Sequence, residues 1–377
     1  MKIWVIGRGY PTIYNGMRGS FEFDQAKLLA RHGHDVTYIS LSLTFLRKKD
    51  HRGLNHFCEE GVDVFAYSQL FFPGSVMKKL NIHFGKYEDK CWHKLFSCAL
   101  KSTGLPDIIH IHYPTMICSI NEVEKLRKKG VKIFVTEHWT RVITKQLKEY
   151  ELERMRYYAC KANAFLTVGK SLVDSINELV DVKVPMEIVP NLVSPLFKPT
   201  KNETSAFTFV AVGRMVPVKR FDVIASQFIR AFKGNDNIKL KLIGDGPEKR
   251  KLKGICKNNN QVIFTGALSA DKVAKEVASS NVLICYSSLE TFAVPIIEAW
   301  ACGLPIITLE SVPASVYCDN SRGLIIPEDN KNHLGKAMKS IMNNYDEYDK
   351  DSIAKFAEEN FSDDAIYSKI VSIYESK

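Results

Sequence analysis

Two glutamates eight positions apart, Glu290 and Glu298, are the residues of this chain whose type and spacing best suit ligand chemistry. They bracket a predicted turn from strand to helix. The apolar run at 282–286 has the length of a strand, and 296–302 is predicted to be helical, with Pro295 at the first position of the helix. Both carboxylates are therefore expected beside the loop that joins these two elements.

The residues that follow complete a β-loop-α-β unit. Gly303 supplies a C-terminal cap, Pro305 prevents the helix from continuing, and 306–308 begins a second strand. In such units the loop lines a ligand crevice, and the helix presents free amides with a partial positive charge, so a diphosphate fits there. The amides expected to face its oxygens are those of Phe292, Ala293 and Val294.

The two carboxylates cannot help to bind a phosphate, because like charges repel each other. They are instead expected to accept hydrogen bonds from hydroxyl groups of sugars, which makes the segment suited to a nucleotide sugar. The alternative is that Glu290 and Glu298 are exposed surface acids, the commonest location of a glutamate. Spacing alone leaves both interpretations open.

The size and composition of the chain set limits on its class. A length of 377 residues exceeds the size at which a single hydrophobic core usually stops growing, so two domains are expected. With 45% apolar and 25% charged residues, the composition is that of a globular protein. The formal net charge of +10 favours anionic partners, without choosing among a nucleotide, an anionic lipid and a nucleic acid.

Cysteine use and the first residues indicate the compartment. Nine cysteines are scattered singly without a Cys-x-x-Cys pair, as in cytosolic proteins with reduced thiols. A strand is predicted at 3–6 with no signal-peptide region before it, and no apolar stretch reaches about 18 residues. We therefore expect a cytoplasmic protein that is not integral to a membrane.

Short apolar strands alternate with amphipathic helices in both halves of the chain, which predicts two doubly wound α/β domains. Two prolines and a polar run interrupt this pattern at 193–205, where a linker is expected, so the predicted domains are 1–192 and 193–361. The last segment, about 362–377, has apolar residues at helical spacing and is expected to pack back on the first domain. The strands are predicted at 3–6, 36–39, 108–111, 132–135, 164–168, 207–212, 239–243, 262–264, 282–286, 306–308 and 324–326.

The segment 68–104 is less regular and is rich in aromatic and basic residues. It has two interpretations. One is an interfacial patch that holds the protein at an anionic membrane. The other, which is favoured, is a set of core aromatics with a solvated basic face.

Together these residues resemble a large family of retaining glycosyltransferases, family 4 in the usual numbering and also called glycosyl transferases group 1. Its members carry a Glu-x7-Glu motif, which Glu290 and Glu298 match. The resemblance covers nearly the whole chain. It implies the GT-B fold, in which two Rossmann-like doubly wound domains face each other across a cleft, the N-terminal domain on the acceptor side and the C-terminal domain binding the nucleotide sugar.

Further residues in the second half match the family pattern. Gly213 and Arg214 directly follow a predicted strand, and Lys219 comes five residues after Arg214. Two fixed cations suit a diphosphate leaving group, because negative charge builds on its oxygens as the glycosidic bond breaks. The family's Gly-x-Gly turn near the nucleotide has its counterpart in Gly244 and Gly246.

In the first half, Gly16 and Gly19 lie between the first strand and a helix, as does the family's glycine-rich loop. Their amides are expected to face the donor phosphate or the acceptor. The resemblance also places His138 beside the donor sugar. An NAD-binding fingerprint is disfavoured, because Gly7 and Gly9 lack its third glycine and no acid ends the second strand.

No metal ion and no other cofactor is expected, because fixed cations and a helix end can replace a metal at a diphosphate. His110 and His112 share one face of a strand and have the spacing of metal ligands, but no third ligand is evident, so a structural role is favoured. Asp349 and Asp351 lie in a polar helical stretch, where surface charge is the favoured interpretation.

Three residues depart from the family pattern. Ala293 stands where the family usually has Gly, Leu192 replaces the Gly of a Pro-Asn-Gly hinge, and Arg220 replaces the Gly after the phosphate-binding Lys. Ala293 is the departure nearest the chemistry, because an added methyl narrows the space over the donor and restricts the backbone angles. Activity is still expected.

The resemblance implies transfer of a sugar from a nucleoside diphosphate to an acceptor with retention of anomeric configuration. Glu298 would accept hydrogen bonds from ribose hydroxyls and Glu290 from sugar hydroxyls. Arg214 and Lys219 would stabilise the departing diphosphate, while His138 and the three loop amides would orient the sugar.

The expected acceptor is a saccharide or a lipid-linked molecule in cell-surface polysaccharide or glycolipid biosynthesis, with peripheral association at the anionic inner face of the cell membrane. Rival functions are a nucleotide-sugar epimerase with the same fold, which only product analysis separates, and a nucleotide-sugar-binding protein without catalysis. Binding of nucleic acid is disfavoured, because no recognisable module is present and the acidic pair would repel phosphate.

Overall fold

A computed structural model describes residues 1–11, 19–44, 53–70, 84–181, 184–200, 206–257, 259–328 and 332–377. Gly16, the segment 71–83 and the last part of the expected linker, 201–205, lie outside the described residues. The chain forms two compact units. The first comprises Met1–Val189 with Lys369–Lys377, and the second comprises Pro190–Ser368.

The division between the units falls after Val189 rather than after 192. The Val189 amide donates to the Thr167 carbonyl (2.9 Å), which attaches it to the sheet of the first unit. The Val193 amide donates to the Phe361 carbonyl (2.8 Å), which attaches it to the second unit. These backbone hydrogen bonds bracket the division between Val189 and Val193, close to the sequence-based boundary.

Within the described residues, the first unit holds an eight-stranded sheet in the order β3-β4-β2-β1-β5-β6-β7-β8. Neighbouring strands are parallel except β3 and β4. The central strand β1 is a continuous apolar run that is buried from its second residue, as expected for a strand covered on both faces. The strands are β1 (Lys2–Gly7), β2 (Asp35–Thr44), β3 (Gly53–Glu59), β4 (Val62–Leu70), β5 (Ile108–His112), β6 (Lys132–Glu137), β7 (Ala164–Thr167) and β8 (Met186–Ile188).

Amphipathic helices cover this sheet. In the second of them, α2, Trp92 and Phe96 are buried in contact with each other, and Phe96 also packs edge-on against Trp4 (5.5 Å between ring centroids). These aromatics of the segment 68–104 are therefore core residues. The helices are α1 (Ser20–Arg31), α2 (Phe84–Thr103), α3 (Ile120–Arg127), α4 (Thr140–Ile143), α5 (Glu149–Lys161) and α6 (Lys170–Val180).

In the second unit, the described residues form a six-stranded parallel sheet in the order β11-β10-β9-β12-β13-β14. The chain leaves β9 toward one side of the sheet and returns at β12 to build the other side. The two strands are neighbours, so the loops that follow them meet where ligands bind in such sheets. The strands are β9 (Phe207–Val212), β10 (Ile238–Ile243), β11 (Val262–Gly266), β12 (Val282–Cys285), β13 (Ile306–Leu309) and β14 (Gly323–Ile326).

The helices of this part are α7 (Phe221–Ala231), α8 (Lys249–Ile255), α9 (Ala270–Ala278), α10 (Val294–Ala301), α11 (Asn332–Asn343), α12 (Lys350–Phe361) and α13 (Asp363–Ser376). The last helix, α13, begins in the second unit, and only Lys369–Lys377 belongs to the first unit. Ile366, Ile370 and Tyr374 are buried at the helical spacing that the sequence shows. No helix in the described ranges combines the length and the apolar character that a membrane crossing needs.

Candidate functional site

The predicted site residues of the second unit lie at the carboxyl ends of β9, β10 and β12. The loop after β9 runs through Gly213 and Arg214 to Lys219, and the loop after β12 contains Glu290. The two loops are tied together, because the Ser288 amide donates to the Val218 carbonyl (2.8 Å). The sheet order therefore brings together residues that are far apart in sequence.

Lys219 and Glu290 form an ion pair across these loops. Their side chains are 21% and 11% exposed, respectively, so water screens the pair only partly. The sequence-based expectation was that Lys219 contacts the diphosphate and Glu290 the sugar, and it did not include a contact between the two side chains. In the free protein, Glu290 fixes the position of the Lys219 ammonium.

Arg214 has a different environment. Its side chain is exposed, and its guanidinium has no ion-pair or hydrogen-bond partner among the residues that the structure describes. The adjacent Met215 amide donates to the Asp245 carbonyl (2.9 Å), and the Gly213 amide donates to the Ile243 carbonyl (3.0 Å). A fixed backbone thus carries a cation that is available to an anionic ligand.

Gly244 and Gly246 hold this backbone in place. A Cβ atom at Gly244 would collide with the Gly213 carbonyl oxygen, and a Cβ atom at Gly246 would collide with the Met215 backbone. Glycine is required at both positions because the two loops approach each other too closely for a side chain. The structure gives these glycines a role in positioning Arg214, and their expected contact with a nucleotide stays a prediction.

The loop before α10 presents free backbone donors. The amides of Phe292, Ala293 and Val294 donate to no acceptor within the described part of the chain. The Phe292 ring is buried against Tyr317 and Phe361, so only its backbone is available to a ligand. Three unpaired N–H groups at a helix start favour an anion.

Glu298 lies one turn into α10 and is half-buried. Its carboxylate has no hydrogen-bond or ion-pair partner in the described ranges, and burial raises the pKa of Glu298 to about 7. A carboxylate that has lost water without gaining a partner is able to accept hydrogen bonds from a ligand's hydroxyl groups. The predicted contact of Glu298 with ribose hydroxyls stays a prediction.

Two of the three departures from the family pattern have left-handed backbone conformations. Ala293 has φ +82° and Arg220 has φ +49°, whereas Leu192 is not among the described residues with positive φ. The Arg220 guanidinium donates to Glu328 (2.5 Å) and lies 5.7 Å from the Tyr286 ring centroid. Both positions are ones that glycine would occupy without strain.

In the first unit, the predicted site residue His138 directly follows β6. Its amide and that of Trp139 donate to the Glu137 carboxylate (2.8 and 2.9 Å), which is fully buried. Burial, together with smaller effects of the Arg8 guanidinium and the His110 ring, lowers the pKa of His138 to about 3. His138 is therefore a neutral imidazole near pH 7.

Arg8 lies at the end of β1 and was not predicted as a site residue. Its guanidinium stacks on the Tyr113 ring (3.5 Å to the centroid), and its Nε donates to Glu22 (2.8 Å). Tyr113 stacks in turn on His138 (4.8 Å between centroids). The signal for Arg8 in the sequence is a charged side chain directly after the central strand, at the sheet edge where ligands bind.

Gly19, the described glycine of the predicted first-half loop, immediately precedes α1 and has φ +87°. A Cβ atom there would collide with the Gly9 carbonyl, which also accepts a hydrogen bond from Tyr38 (2.6 Å). The glycine allows the chain to pass close to the end of β1 before the helix begins. Its expected contact with phosphate or acceptor stays a prediction.

The candidate metal ligands have other partners. His110 contacts Thr136 through Nε2 (2.7 Å) and Tyr374 through Nδ1 (2.5 Å), so both ring nitrogens are occupied. Asp349 caps α12 by accepting from the amides of Asp351 and Ser352. No group of three metal-ligating side chains is found among the described residues. That the reaction needs no metal stays a prediction.

Comparisons with known proteins cover most of the chain. Residues 195–359 match the family model described as glycosyl transferases group 1, and residues 23–195 match that of Glycosyltransferase Family 4. N-acetyl-alpha-D-glucosaminyl L-malate synthase of Bacillus anthracis is 26% identical over 322 residues, which cover 81% of this chain and 78% of that protein.

Two solved structures share the fold. Sucrose-phosphate synthase of Thermosynechococcus elongatus has a TM-score of 0.75 at 17% identity. The aligned region covers 99% of this chain and 98% of the synthase chain. HepE of Anabaena in complex with UDP has a TM-score of 0.70 at 13% identity, with full coverage of both chains. The predicted fold class of two Rossmann-like α/β domains is thereby confirmed.

Proposed function

Because the chain belongs to glycosyltransferase family 4, the group 1 glycosyl transferases, and so is a glycosyltransferase that uses nucleotide sugars, we propose that it transfers the sugar with retention of anomeric configuration. One observation carries the assignment of the site. The unpaired amides of Phe292, Ala293 and Val294 lie in one loop-helix segment between the Lys219–Glu290 ion pair and the unpaired carboxylate of Glu298.

The donor diphosphate would lie at the free amides, with Arg214 and Lys219 as its cations. Negative charge develops on the leaving phosphate as the glycosidic bond breaks, and fixed cations stabilise that charge more than the charge of the bound donor. Glu298 would accept hydrogen bonds from the ribose hydroxyls. Glu290 would accept them from the sugar while holding Lys219 in position.

Retention is proposed to follow from attack on the face that the diphosphate leaves. The acceptor oxygen forms its bond to the anomeric carbon as the bond to the phosphate oxygen breaks. The proton of the acceptor hydroxyl passes to the leaving phosphate, so no protein base is needed. His138 is proposed to orient the sugar through hydrogen bonds, and no metal ion is required.

The acceptor is proposed to be a saccharide or a lipid-linked molecule in cell-surface polysaccharide or glycolipid biosynthesis. The net charge of +10 supports peripheral association with the anionic cytoplasmic face of a membrane. The name of the Bacillus anthracis relative contains an N-acetylglucosaminyl group, which supports including nucleotide derivatives of N-acetylglucosamine among the donors tested.

The test is nucleotide release from a panel of UDP-, GDP- and ADP-sugars, with and without a membrane lipid extract. We expect one donor to be turned over, Glu298→Ala to abolish release, and the product to keep the anomeric configuration of the donor. Arg230→Ala, whose side chain contacts Asn332 away from these loops, is the matched control and should retain activity.

Each alternative function predicts a different result in this assay. An epimerase would convert the donor into a second nucleotide sugar, and a binding protein without catalysis would bind a donor but release no nucleotide. If no donor is bound or turned over, even with lipid present, the proposed transfer is wrong.

A further inference from the structure

Three histidine rings form a stack behind the proposed sugar contact. His110 and His112 lie on one face of β5 with their rings nearly parallel (4.7 Å between centroids, 10° between planes). The His112 ring also stacks on His138 (5.2 Å, 24°), and His112 Nδ1 lies 2.9 Å from His138 Nε2. One hydrogen bond therefore joins His112 to the residue proposed to orient the sugar.

Both rings are neutral. Burial is the main effect that lowers the pKa of His112 well below its usual range, and the same effect lowers the pKa of His138 to about 3. Each ring then carries one proton. The hydrogen bond has only two arrangements: His112 Nδ1–H donates to His138 Nε2, or His138 Nε2–H donates to His112 Nδ1.

The far nitrogen of His112 distinguishes these arrangements. His112 Nε2 is buried and has no hydrogen-bond partner among the described residues. If His138 were the donor, His112 would carry its proton on Nε2, and a buried N–H would have no acceptor. If His112 is the donor, Nε2 is an unprotonated acceptor. A buried unpaired acceptor is better tolerated than a buried unpaired N–H.

We propose that His112 is a positioning residue that donates its Nδ1–H to His138 Nε2 and thereby holds His138 as the Nδ1–H tautomer. His138 Nδ1 has no partner within the described part of the chain, and the side chain is only half-buried. It therefore presents an N–H donor to the sugar oxygens and has no free lone pair with which to act as a base. This inference rests on the proposed function for the identity of the ligand.

His110 supports the stack from the other side. The Tyr374 hydroxyl contacts His110 Nδ1 (2.5 Å), and His110 Nε2 contacts the Thr136 hydroxyl (2.7 Å). Because both nitrogens of His110 are satisfied, its ring is held flat against that of His112. The last helix, α13, supplies Tyr374 and so connects the C-terminal segment to the orientation of this ring.

The direct test is ¹⁵N NMR of the histidine rings in the ligand-free protein at pH 7. We expect a pyrrole-type shift for Nδ1 and a pyridine-type shift for Nε2 in both His138 and His112. Pyrrole-type Nε2 at His138 would overturn the proposal. This result does not depend on turnover, so it is independent of whether the proposed transfer is found.

Variants test the consequence for catalysis. His112→Asn keeps an N–H donor near the position of Nδ1, and His112→Leu removes it. With the panel of UDP-, GDP- and ADP-sugars, we expect His112→Leu to lower kcat about tenfold or more with little change in KM, and His112→Asn to restore most of the loss. Equal losses in both variants would overturn the proposal.

Tyr374→Phe is the matched control, because it removes the Tyr374 hydroxyl from His110 Nδ1, where the Gln25 side-chain amide remains (2.9 Å), and it leaves the His112–His138 contact in place. The His138 tautomer should be unchanged in this variant. A switch of the His138 tautomer in Tyr374→Phe would contradict the assignment of this role to His112.

Discussion

The Lys219 ammonium and a Glu290 carboxylate oxygen form an ion pair between loops that follow different strands. The pair links the cation proposed for the diphosphate to the carboxylate proposed for the sugar. Each residue lies among fixed backbone groups and is largely withdrawn from water. The site is therefore held in position by its own charges before a ligand binds, and so little reorganisation is needed when the ligand arrives.

The first prediction is that this pair is energetically coupled. Removing one partner leaves a partly buried charge without compensation, so Lys219→Met and Glu290→Gln should each destabilise the protein. The double variant should lose less free energy of unfolding than the sum of the two single losses. We expect a coupling energy of about 1–3 kcal/mol from urea unfolding. Lys170 and Asp174, an exposed pair on α6, are the control and should show less than about 0.5 kcal/mol. Additive losses at Lys219 and Glu290 would contradict the prediction.

The second prediction concerns the left-handed residue that precedes α10. Ala293→Gly loses a buried methyl but relieves the strain of φ +82°, so its stability should change by less than about 0.5 kcal/mol. Ala299 is buried in the interior of the same helix. Ala299→Gly loses a methyl group without relieving any backbone strain, so it should lower the free energy of unfolding by at least about 1 kcal/mol. Thermal unfolding compares the two. Equal losses would show that Ala293 is not strained.

The third prediction concerns the glycine that holds the Arg214 loop. A methyl at Gly246 meets the Met215 backbone, so Gly246→Ala should destabilise the second unit by about 1–3 kcal/mol and reduce donor turnover. Gly254 lies in α8 with no atom within 4 Å of an added Cβ. Gly254→Ala should therefore stabilise the protein by about 0.5–1 kcal/mol and keep activity. Normal stability of Gly246→Ala would rule out the packing role.

Much of the fold could be predicted from the sequence, because apolar runs and helix caps are local signals. The strand at 282–286, the helix at 296–302 and the strand at 306–308 correspond to Val282–Cys285, Val294–Ala301 and Ile306–Leu309. The edge strand β3 was missed because it is polar and half-exposed, so it lacks the apolar signal of a central strand. The helix α2 was missed because its aromatic residues obscured the helical period.

The site was less predictable where it depends on which loops become neighbours. Glu298 and the loop amides follow from a local pattern around one helix start. The Lys219–Glu290 pair instead requires that β9 and β12 are adjacent, which periodicity does not determine. The contact between His112 and His138 likewise depends on the parallel pairing of β5 with β6.

The fourth prediction follows from the raised pKa of Glu298 and concerns stability. Its folded pKa of about 7 lies above the usual value of 4.5, so burial of the neutral form stabilises the fold at pH below 4.5, and this contribution is lost as the pH rises through 7. Glu298→Gln removes the charge at every pH. It should be more stable than the wild type by about 1–3 kcal/mol at pH 8, and nearly equal to it at pH 4.5. A difference that does not change between these pH values would contradict the shift.

The fifth prediction concerns donor affinity and the same carboxylate. The ribose contact proposed for Glu298 is made to its ionised form, so bound ligand should lower its pKa from about 7, and affinity should rise as the pH rises through that value. We expect the nucleoside diphosphate that binds best among UDP, GDP and ADP to bind about tenfold more weakly at pH 6 than at pH 8 by calorimetry. The ligand phosphates titrate in the same range, so the comparison is with Glu298→Gln, which keeps their contribution and should lose the additional dependence. Arg214→Met should weaken binding at both pH values and keep the difference between them, because the carboxylate is intact. Identical pH profiles for the wild type and Glu298→Gln would show that this carboxylate does not bind the ribose.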